Sequence, residues 1–511
     1  MNQRTLIIAV LMVVTLPMAI LLGQWAATDP QMAIGAGFLV VVLFIVAGMG
    51  RNIWLLIPMT VAFSGPVTAL PGGFALRDLV IGLVVVTMII HWIVRRYRVK
   101  MRFGLLEFAL LLQFVMIAQT FMRNPVGLAV LGSSEVGGRA YFEMTIAIAA
   151  YLVLAMQVVP CSLVNRAALL MFIGALFLGL LGGLTLLVPA FGYAMTAVYA
   201  MAGASGAVAR YHGVEVSQAT EGRLPMLRDI ARPLATGLFA KYVPFKLINP
   251  INIFVFLSVL IVAVCTLYSG YRGMVVWLGL MAVASAMIHK KVASFLLICL
   301  FALPILGGMV VLQGNLIQLP ASAQRALSFL PGDWDGRVVQ DAEGSIDWRI
   351  EMWEEVLTTE RYITNKIIGD GFGFSQRELM FQINLGERSR NPEELQEYFL
   401  ITGGYHSGPV ESIRRVGYIG LAVLLIGMAI FWKEALNIVK LTRDTKFQAA
   451  AFYVTLPILV FPFYFVFVFG SYQAAIITMC VSGGLLRLIR NSVELDNSVI
   501  SEKSTQQIEQ N

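Results

Sequence analysis

"ITGGYHSGPVESIRRVGYIGLAVLLIGM", residues 401–428, changes character half-way along. Its first half carries a histidine, a Gly-Gly pair, a glutamate and two adjacent arginines. Its second half is hydrocarbon-soluble. The boundary is the foot of a membrane helix. Ser407 suits its N-cap and Pro409 its first turn, which puts His406 just ahead of a helix N-terminus. Free N–H groups and the helix dipole there favour an anion.

The apolar pattern extends over most of the chain. Of 511 residues, 58% are hydrophobic and 13% charged, against about a quarter charged in a globular protein. Apolar stretches recur at 5–22, 32–49, 52–69, 76–94, 103–122, 140–159, 167–189, 250–268, 273–288, 292–313, 411–432, 447–469 and 471–490. Each approaches the length a helix needs to cross hydrocarbon. The fold class expected is an all-α polytopic integral membrane protein of about 12–14 transmembrane helices, with a large extracytoplasmic helical loop. The net charge of +7 then reflects basic cytoplasmic loops and not a nucleic-acid partner. Cys161, Cys265, Cys299 and Cys480 show no CxxC spacing, so no zinc site or disulfide framework is expected. The N-terminal apolar run lacks a small-residue cleavage site and is read as a retained first span.

Basic segments set the orientation. "RRYRVKMR" (95–102), "HKK" (289–291) and "KEALNIVKLTRDTK" (433–446) belong on the cytoplasmic side, with both termini cytoplasmic. An even number of crossings must then separate 102 from 289, and five are plain. The sixth is expected at 191–209, which is rich in small residues, with a broken or re-entrant helix there as the alternative. That leaves 221–246 as a basic amphipathic stretch on the cytoplasmic membrane surface. The resulting plan is an N-terminal transmembrane bundle (1–249), helices bearing an outer arginine turn (250–313), an extracytoplasmic loop domain (314–408), C-terminal helices (409–490) and a disordered cytoplasmic tail (491–511). The loop 314–408 holds 15 of the 30 acidic residues and 8 Lys/Arg. Within it Ile346, Ile350, Trp353 and Leu357 recur at helical spacing, predicting an amphipathic helix over 345–359.

Polar residues within the spans are few, His91 and Gln113 being the main ones, which argues against a carrier of polysaccharide or lipid-linked oligosaccharide. Ionisable groups gather instead at the outer edge: Arg77 and Asp78, Arg123, Glu135, Arg139 and Glu143, Arg272, Arg325, Arg349, and the cluster His406, Glu411, Arg414 and Arg415. A histidine near neutrality beside arginines at a membrane surface suits transfer of a group from a lipid-linked phosphate to a hydroxyl. Imidazole takes the hydroxyl's proton and guanidinium holds the departing diphosphate. Two motifs have structural readings: "GDGFGFS" (369–375) is read as a turn, and "DWD" (333–335) as a loop, not a metal site. Trp348 and Trp353 are read as packing residues.

Three elements, in order, resemble the O-antigen ligase / O-antigen polymerase superfamily of bacterial envelope enzymes. "YSGYRG" (268–273) is similar to its Ser-Gly-Ser-Arg-Gly turn, with Tyr271 replacing a small residue. "SIDWRIEMW" (345–353) and "GDGFGFS" resemble its external-loop motifs. "YHSGPVESIRRVGYIG" (405–420) resembles its His-Asn start of the next span, with Ser407 in place of asparagine and Gly417 and Gly420 in register. The resemblance covers roughly 250–432. It implies an inverting, metal-independent membrane glycosyltransferase with no cofactor, acting on an undecaprenyl-diphosphate-linked saccharide at the outer face of the bacterial cytoplasmic (inner) membrane. His406 would activate the acceptor hydroxyl, and Arg272 and Arg349 would engage the diphosphate, with Arg349 favoured over Arg325. Arg139, Arg325, Glu411, Arg414 and Arg415 are the substrate-side candidates. The expected activity is polymerisation of O-antigen or exopolysaccharide units, with ligation of a glycan to a lipid A-core acceptor or a transporter as alternatives. Membrane lipid and a chain-length regulator are the further partners.

Overall fold

The structure, a computed structural model, describes residues 48–68, 74–93, 103–124, 138–200, 223–314, 316–372, 397 and 399–510. The expected span 5–22, nearly all of 32–49, the basic segment 95–102, Glu135 and all of 201–222 lie outside the described residues. Two compact units are distinguished, Met1–Trp54 with Val86–Arg98, and Leu55–Val85 with Val99–Asn511. All the candidate site residues belong to the second. In the first, His91 turns back on its own helix, its Nδ1 lying 2.8 Å from the Thr87 carbonyl oxygen.

The described chain is helical, with only two isolated bridges of extended backbone. In order, the helices are α1 (Leu56–Thr60), α2 (Leu76–Ile93), α3 (Leu105–Arg123), α4 (Gly138–Ala155), α5 (Cys161–Leu187), α6 (Pro189–Thr196), α7 (Pro225–Lys241) and α8 (Pro244–Leu247). There follow α9 (Ile253–Tyr268), α10 (Arg272–Ile288), α11 (Val292–Leu312), α12 (Ala321–Leu327), α13 (Gly336–Thr358), α14 (Gly408–Thr442), α15 (Gln448–Phe467) and α16 (Tyr472–Gln510). Among the described residues seven of these are long and apolar enough to cross a membrane: α2, α3, α4, α5, α14, α15 and the Tyr472–Ser498 part of α16. Helices α9 and α10 and the Leu303–Leu312 part of α11 are shorter apolar stretches. The chain is an all-α, polytopic membrane protein.

Three expected elements differ. The helix expected over 52–69 stops at Thr60, because Ser64-Gly65-Pro66 turns the chain so that Val67 N–H bonds the Phe74 carbonyl at 2.8 Å. Of the segment 191–209, the described part, 191–200, holds the end of α6, which stops at Thr196, and 201–209 lie outside the described residues. The segment 225–241, expected on the membrane surface, is instead packed inside the bundle. Its start, α7, is tied to the α9–α10 turn by Leu224 N–H on the Ser269 carbonyl, at 3.0 Å. Its far end meets the last turn of α10, where Ser285 Oγ donates to the Phe239 carbonyl at 2.9 Å. It therefore runs the length of α10, packed among α5, α9, α10 and α15. Small side chains allow this. Ala231, Ala235 and Ala240 are buried, and a Cβ on Gly179 of α5 would lie 2.8 Å from the α7 backbone at Ile230. Arg228 also pairs with its neighbour Asp229 at 2.8 Å, which lowers the cost of carrying both inward.

The bundle has two polar ends. At one, Glu107 caps its own helix by accepting Gly104 N–H at 2.8 Å and binds Arg487 and Tyr151. At the other lie the starts of α4, α7, α10, α14 and α16 with the end of α3. Between them Gln113 is fully buried and accepts from Tyr472 Oη at 3.0 Å. The tail expected to be disordered from 491 instead continues α16 to Gln510. No Gly or Pro interrupts 491–510, and Ser492 and Val493 are buried against the bundle.

Candidate active site

Helix α13 begins nine residues before the predicted amphipathic stretch, capped by Asp335 Oδ1 on the Arg337 N–H at 2.9 Å. That takes up one carboxylate of "DWD". The helix is amphipathic as expected, but its inward stripe is turned. Met352 and Val356 are buried, while Ile350 is 53% exposed. Trp348, Trp353 and Leu357 pack on the same core, which includes Tyr362, Leu400, Tyr405 and Ile413. Arg349 precedes Met352 and Trp353 by three and four residues, so it sits on the packed stripe.

His406 adopts φ +52°, a left-handed conformation rare for residues other than glycine. Trp353 Nε1 donates to the Tyr405 carbonyl at 2.7 Å and fixes the backbone just before it. Three rings surround the imidazole, with centroids at 4.9 Å (Phe399), 5.7 Å (Phe469) and 5.8 Å (Trp348). Ser407 caps α14 as expected, its Oγ accepting from Val410 N–H at 3.5 Å. Among the described residues no side chain or carbonyl hydrogen-bonds the imidazole. Burial among the rings, then the positive charges of Arg349 and Arg223, push its pKa down to about 4. At neutral pH it is therefore an uncharged base.

Arg349 shows the same crowding. Its pKa is lowered first by burial and then by Arg272 and Arg223. Its Nε is buried with no hydrogen-bond partner among the described residues. Arg272 opens α10 after a turn in which Gly270 takes φ +72°. Arg223 stands two residues before α7, its guanidinium carbon 6.0 Å from the Tyr271 ring. The structure thus brings together His406, Arg349 and Arg272, and adds Arg223, which sequence reasoning missed. Its signal was an arginine just ahead of Pro225, a helix-start residue, on a segment assigned to the opposite membrane face. Arg325 lies buried in α12, which packs on α9, α10 and α13. Its charge is not among those acting on His406 or Arg349.

The other candidates hold the fold. Arg414 donates to the carbonyls of Tyr362 at 2.6 Å and Ile401 at 2.7 Å. Arg415 pairs with Glu411 at 3.1 Å, donates to the Thr402 carbonyl at 2.8 Å, and stacks 4.9 Å from the Phe372 ring. Glu411 also accepts the Tyr472 N–H at the start of α16. Arg139 joins Glu143 at 2.6 Å in a buried network with Arg77, Asp78 and Gln473. Glu411 and Glu143 lie one helical turn from Arg415 and Arg139, whereas the carbonyl partners of Arg414 and Arg415 come from more distant segments. Replacing Arg415 with Ala should leave Glu411 buried without its cation and cost about 3 kcal/mol or more. A clear fall in the thermal midpoint of the detergent-purified protein is expected. An unchanged midpoint would mean that the guanidinium is not a structural clamp.

Helix α14 is broken at Gly417 (φ 72°, ψ −178°). The segment 366–371 fills the break. Asp370 and Gly371 N–H bond the Arg414 and Arg415 carbonyls at 2.7 and 3.1 Å, and Tyr418 and Ile419 N–H bond the Lys366 and Ile367 carbonyls at 2.8 and 3.2 Å. Four backbone groups flanking the break thereby find partners. "GDGFGFS" begins as the turn that was expected, and Arg123 binds the Gly369 and Ile368 carbonyls at 2.9 and 2.6 Å. This interlock sets the start of α14, and with it His406.

Compared with known proteins, the chain matches no protein-family model and no curated protein.

Proposed function

We propose that this chain is an integral-membrane glycosyltransferase that moves a glycan from undecaprenyl diphosphate to a hydroxyl acceptor at the outer face of the bacterial cytoplasmic membrane. The observation that carries the reading is one neutral imidazole facing Arg349 and Arg223, with Arg272 beside Arg349, at one end of an apolar helix bundle. Among the described residues no carboxylate acts on His406 or Arg349. Mutual repulsion of three guanidinium groups is relieved by a diphosphate, whose oxygens accept paired N–H groups.

In the step proposed, His406 takes the proton of the acceptor hydroxyl. The acceptor oxygen bonds the anomeric carbon from the face opposite the leaving group. The bond from that carbon to the diphosphate oxygen breaks, and the arginines hold the charge that develops there. Configuration inverts. The acceptor favoured is a second lipid-linked saccharide, giving polymerisation of O-antigen or exopolysaccharide, with a lipid A-core acceptor as the ligase variant.

The test is chain extension by the full-length protein in nanodiscs supplied with a purified undecaprenyl-diphosphate saccharide. Arg349→Lys keeps the charge and loses the planar fork, and turnover is expected to fall by about 10²-fold or more. Wild-type turnover in that variant would remove Arg349 from the leaving-group site. Running the assay with lipid A-core as acceptor separates polymerase from ligase.

A further inference from the structure

A cavity of about 460 Å³ lies beside the arginine cluster, between α7, α5 and the turn at Gly65. Its α7 wall carries Arg228, Asp229 and Arg232, and small residues such as Ala175 and Gly65 leave the space open opposite. Tyr271 connects the two regions: its ring lies 6.0 Å from the guanidinium carbon of Arg223 and 5.1 Å from that of Arg228. Arg272 follows it in the chain. Cationic groups thus run continuously from His406 to the cavity.

The wall charges do not balance. Among the described residues Asp229 is the only acid lining the cavity, and it is paired with Arg228 at 2.8 Å. Arg232 lies between two rings, 5.7 Å from Trp277 and 5.8 Å from Tyr464, which offset part of its desolvation. Its hydrogen bonding is nearly empty. Nη2 reaches Tyr464 Oη at a long 3.5 Å, and Nε is buried with no partner among the described residues. A guanidinium carries five N–H donors in a planar fork, and leaving them unused indoors is costly. The volume falls in the range of small-molecule sites, about 300–1,000 Å³.

We propose that this cavity is a second substrate subsite, which takes an anionic sugar residue and binds its carboxylate or phosphate group through Arg232 and Arg228. That the ligand is a sugar rests on the glycan-transfer reading; that it bears an oxyanion rests on the cavity itself. The substrate class is then an acidic glycan, a uronic acid or a phosphate-substituted sugar.

The test is calorimetric titration of the full-length protein in nanodiscs with methyl β-glucuronide, glucose 6-phosphate and neutral methyl β-glucoside. Wild type is expected to bind at least one of the anionic sugars more tightly than the glucoside, and the preferred one identifies the oxyanion. Arg232→Gln should weaken that binding about tenfold or more, the loss of a charged hydrogen bond. Ala175→Phe, which fills the cavity from the other wall without touching an arginine, should weaken it as well, whereas Arg349→Gln should not. Equal affinity for anionic and neutral sugars, or full anion binding in Arg232→Gln, overturns the subsite. So does loss confined to Arg349→Gln, which would put the anion in the His406 cluster. If binding depends on Arg232 but His406→Ala leaves chain extension intact, the subsite stands and the transfer reading falls. The opposite pair of results overturns the subsite alone.

Discussion

His406→Ala is expected to slow glycan transfer by about 10²–10⁴-fold, the usual contribution of a positioned general base. The imidazole sits among three rings and faces two arginine charges, which hold its pKa near 4 in the free protein. The neutral form is the active one, so kcat/KM should stay level from neutrality down to about pH 5 and fall as the pH drops through about 4. A bound diphosphate brings negative charge beside the ring. The acid limb in kcat is therefore expected at higher pH than the limb in kcat/KM. Arg349→Gln removes a positive neighbour and should move the kcat/KM limb upward as well. A purely structural histidine would give none of these displacements. Near-wild-type transfer by His406→Ala, in protein that inserts and folds normally, would remove it as the base.

Gly417→Ala is expected to be the most damaging small substitution in the bundle. Its φ of +72° with ψ near 180° belongs to a region that is essentially glycine's alone, and a Cβ there would lie 2.2 Å from the Ile367 carbonyl oxygen. The strain costs about 1–3 kcal/mol, and forcing the loop aside costs about 1–3 kcal/mol more. The neighbour cannot yield easily, since Gly369 is equally confined: a Cβ on it would sit 2.4 Å from Val416 N. A large drop in thermal midpoint, with loss of transfer, is the expected outcome. Gly307→Ala in α11 is the control, because a Cβ there meets nothing within 4 Å. Equal midpoints for the two variants would mean that the break in α14 does not need its glycine.

Much of this architecture was legible from hydropathy alone, since α2, α3, α4, α5, α14 and α15 each contain a long apolar stretch. Local start signals were equally plain, as with Ser407 and Pro409. Other features depended on neighbours that a linear reading cannot supply. Helix α7 looked like a surface helix because Arg228, Asp229 and Arg232 count against burial wherever they occur. They are tolerated here because α5 offers glycine and alanine, and because Trp277 and Tyr464 provide ring faces. The spacing in α13 predicted a helix correctly, yet Ile350 fell on the exposed side once Met352 and Val356 had found the 400–413 core. Of the arginines, Arg349 lies near His406 and Arg272 near Arg349. Arg414 binds carbonyls, which carry no signature in the side-chain sequence, whereas the Glu411 partner of Arg415 stands at helical spacing.

The polarity of α7 also bears on how the protein is made. Arginine or aspartate at the centre of an isolated helix opposes insertion by about 2.5–3.5 kcal/mol per residue, and this segment has three such residues within five positions, 228–232. These charges, on the N-terminal half of α7, oppose its partitioning into lipid on its own. Its ring partners arrive later, Trp277 in α10 and Tyr464 in α15. The seat of Arg232 between rings is therefore complete only once α10 and α15 have been made, so packing of later helices is a condition for burying this segment.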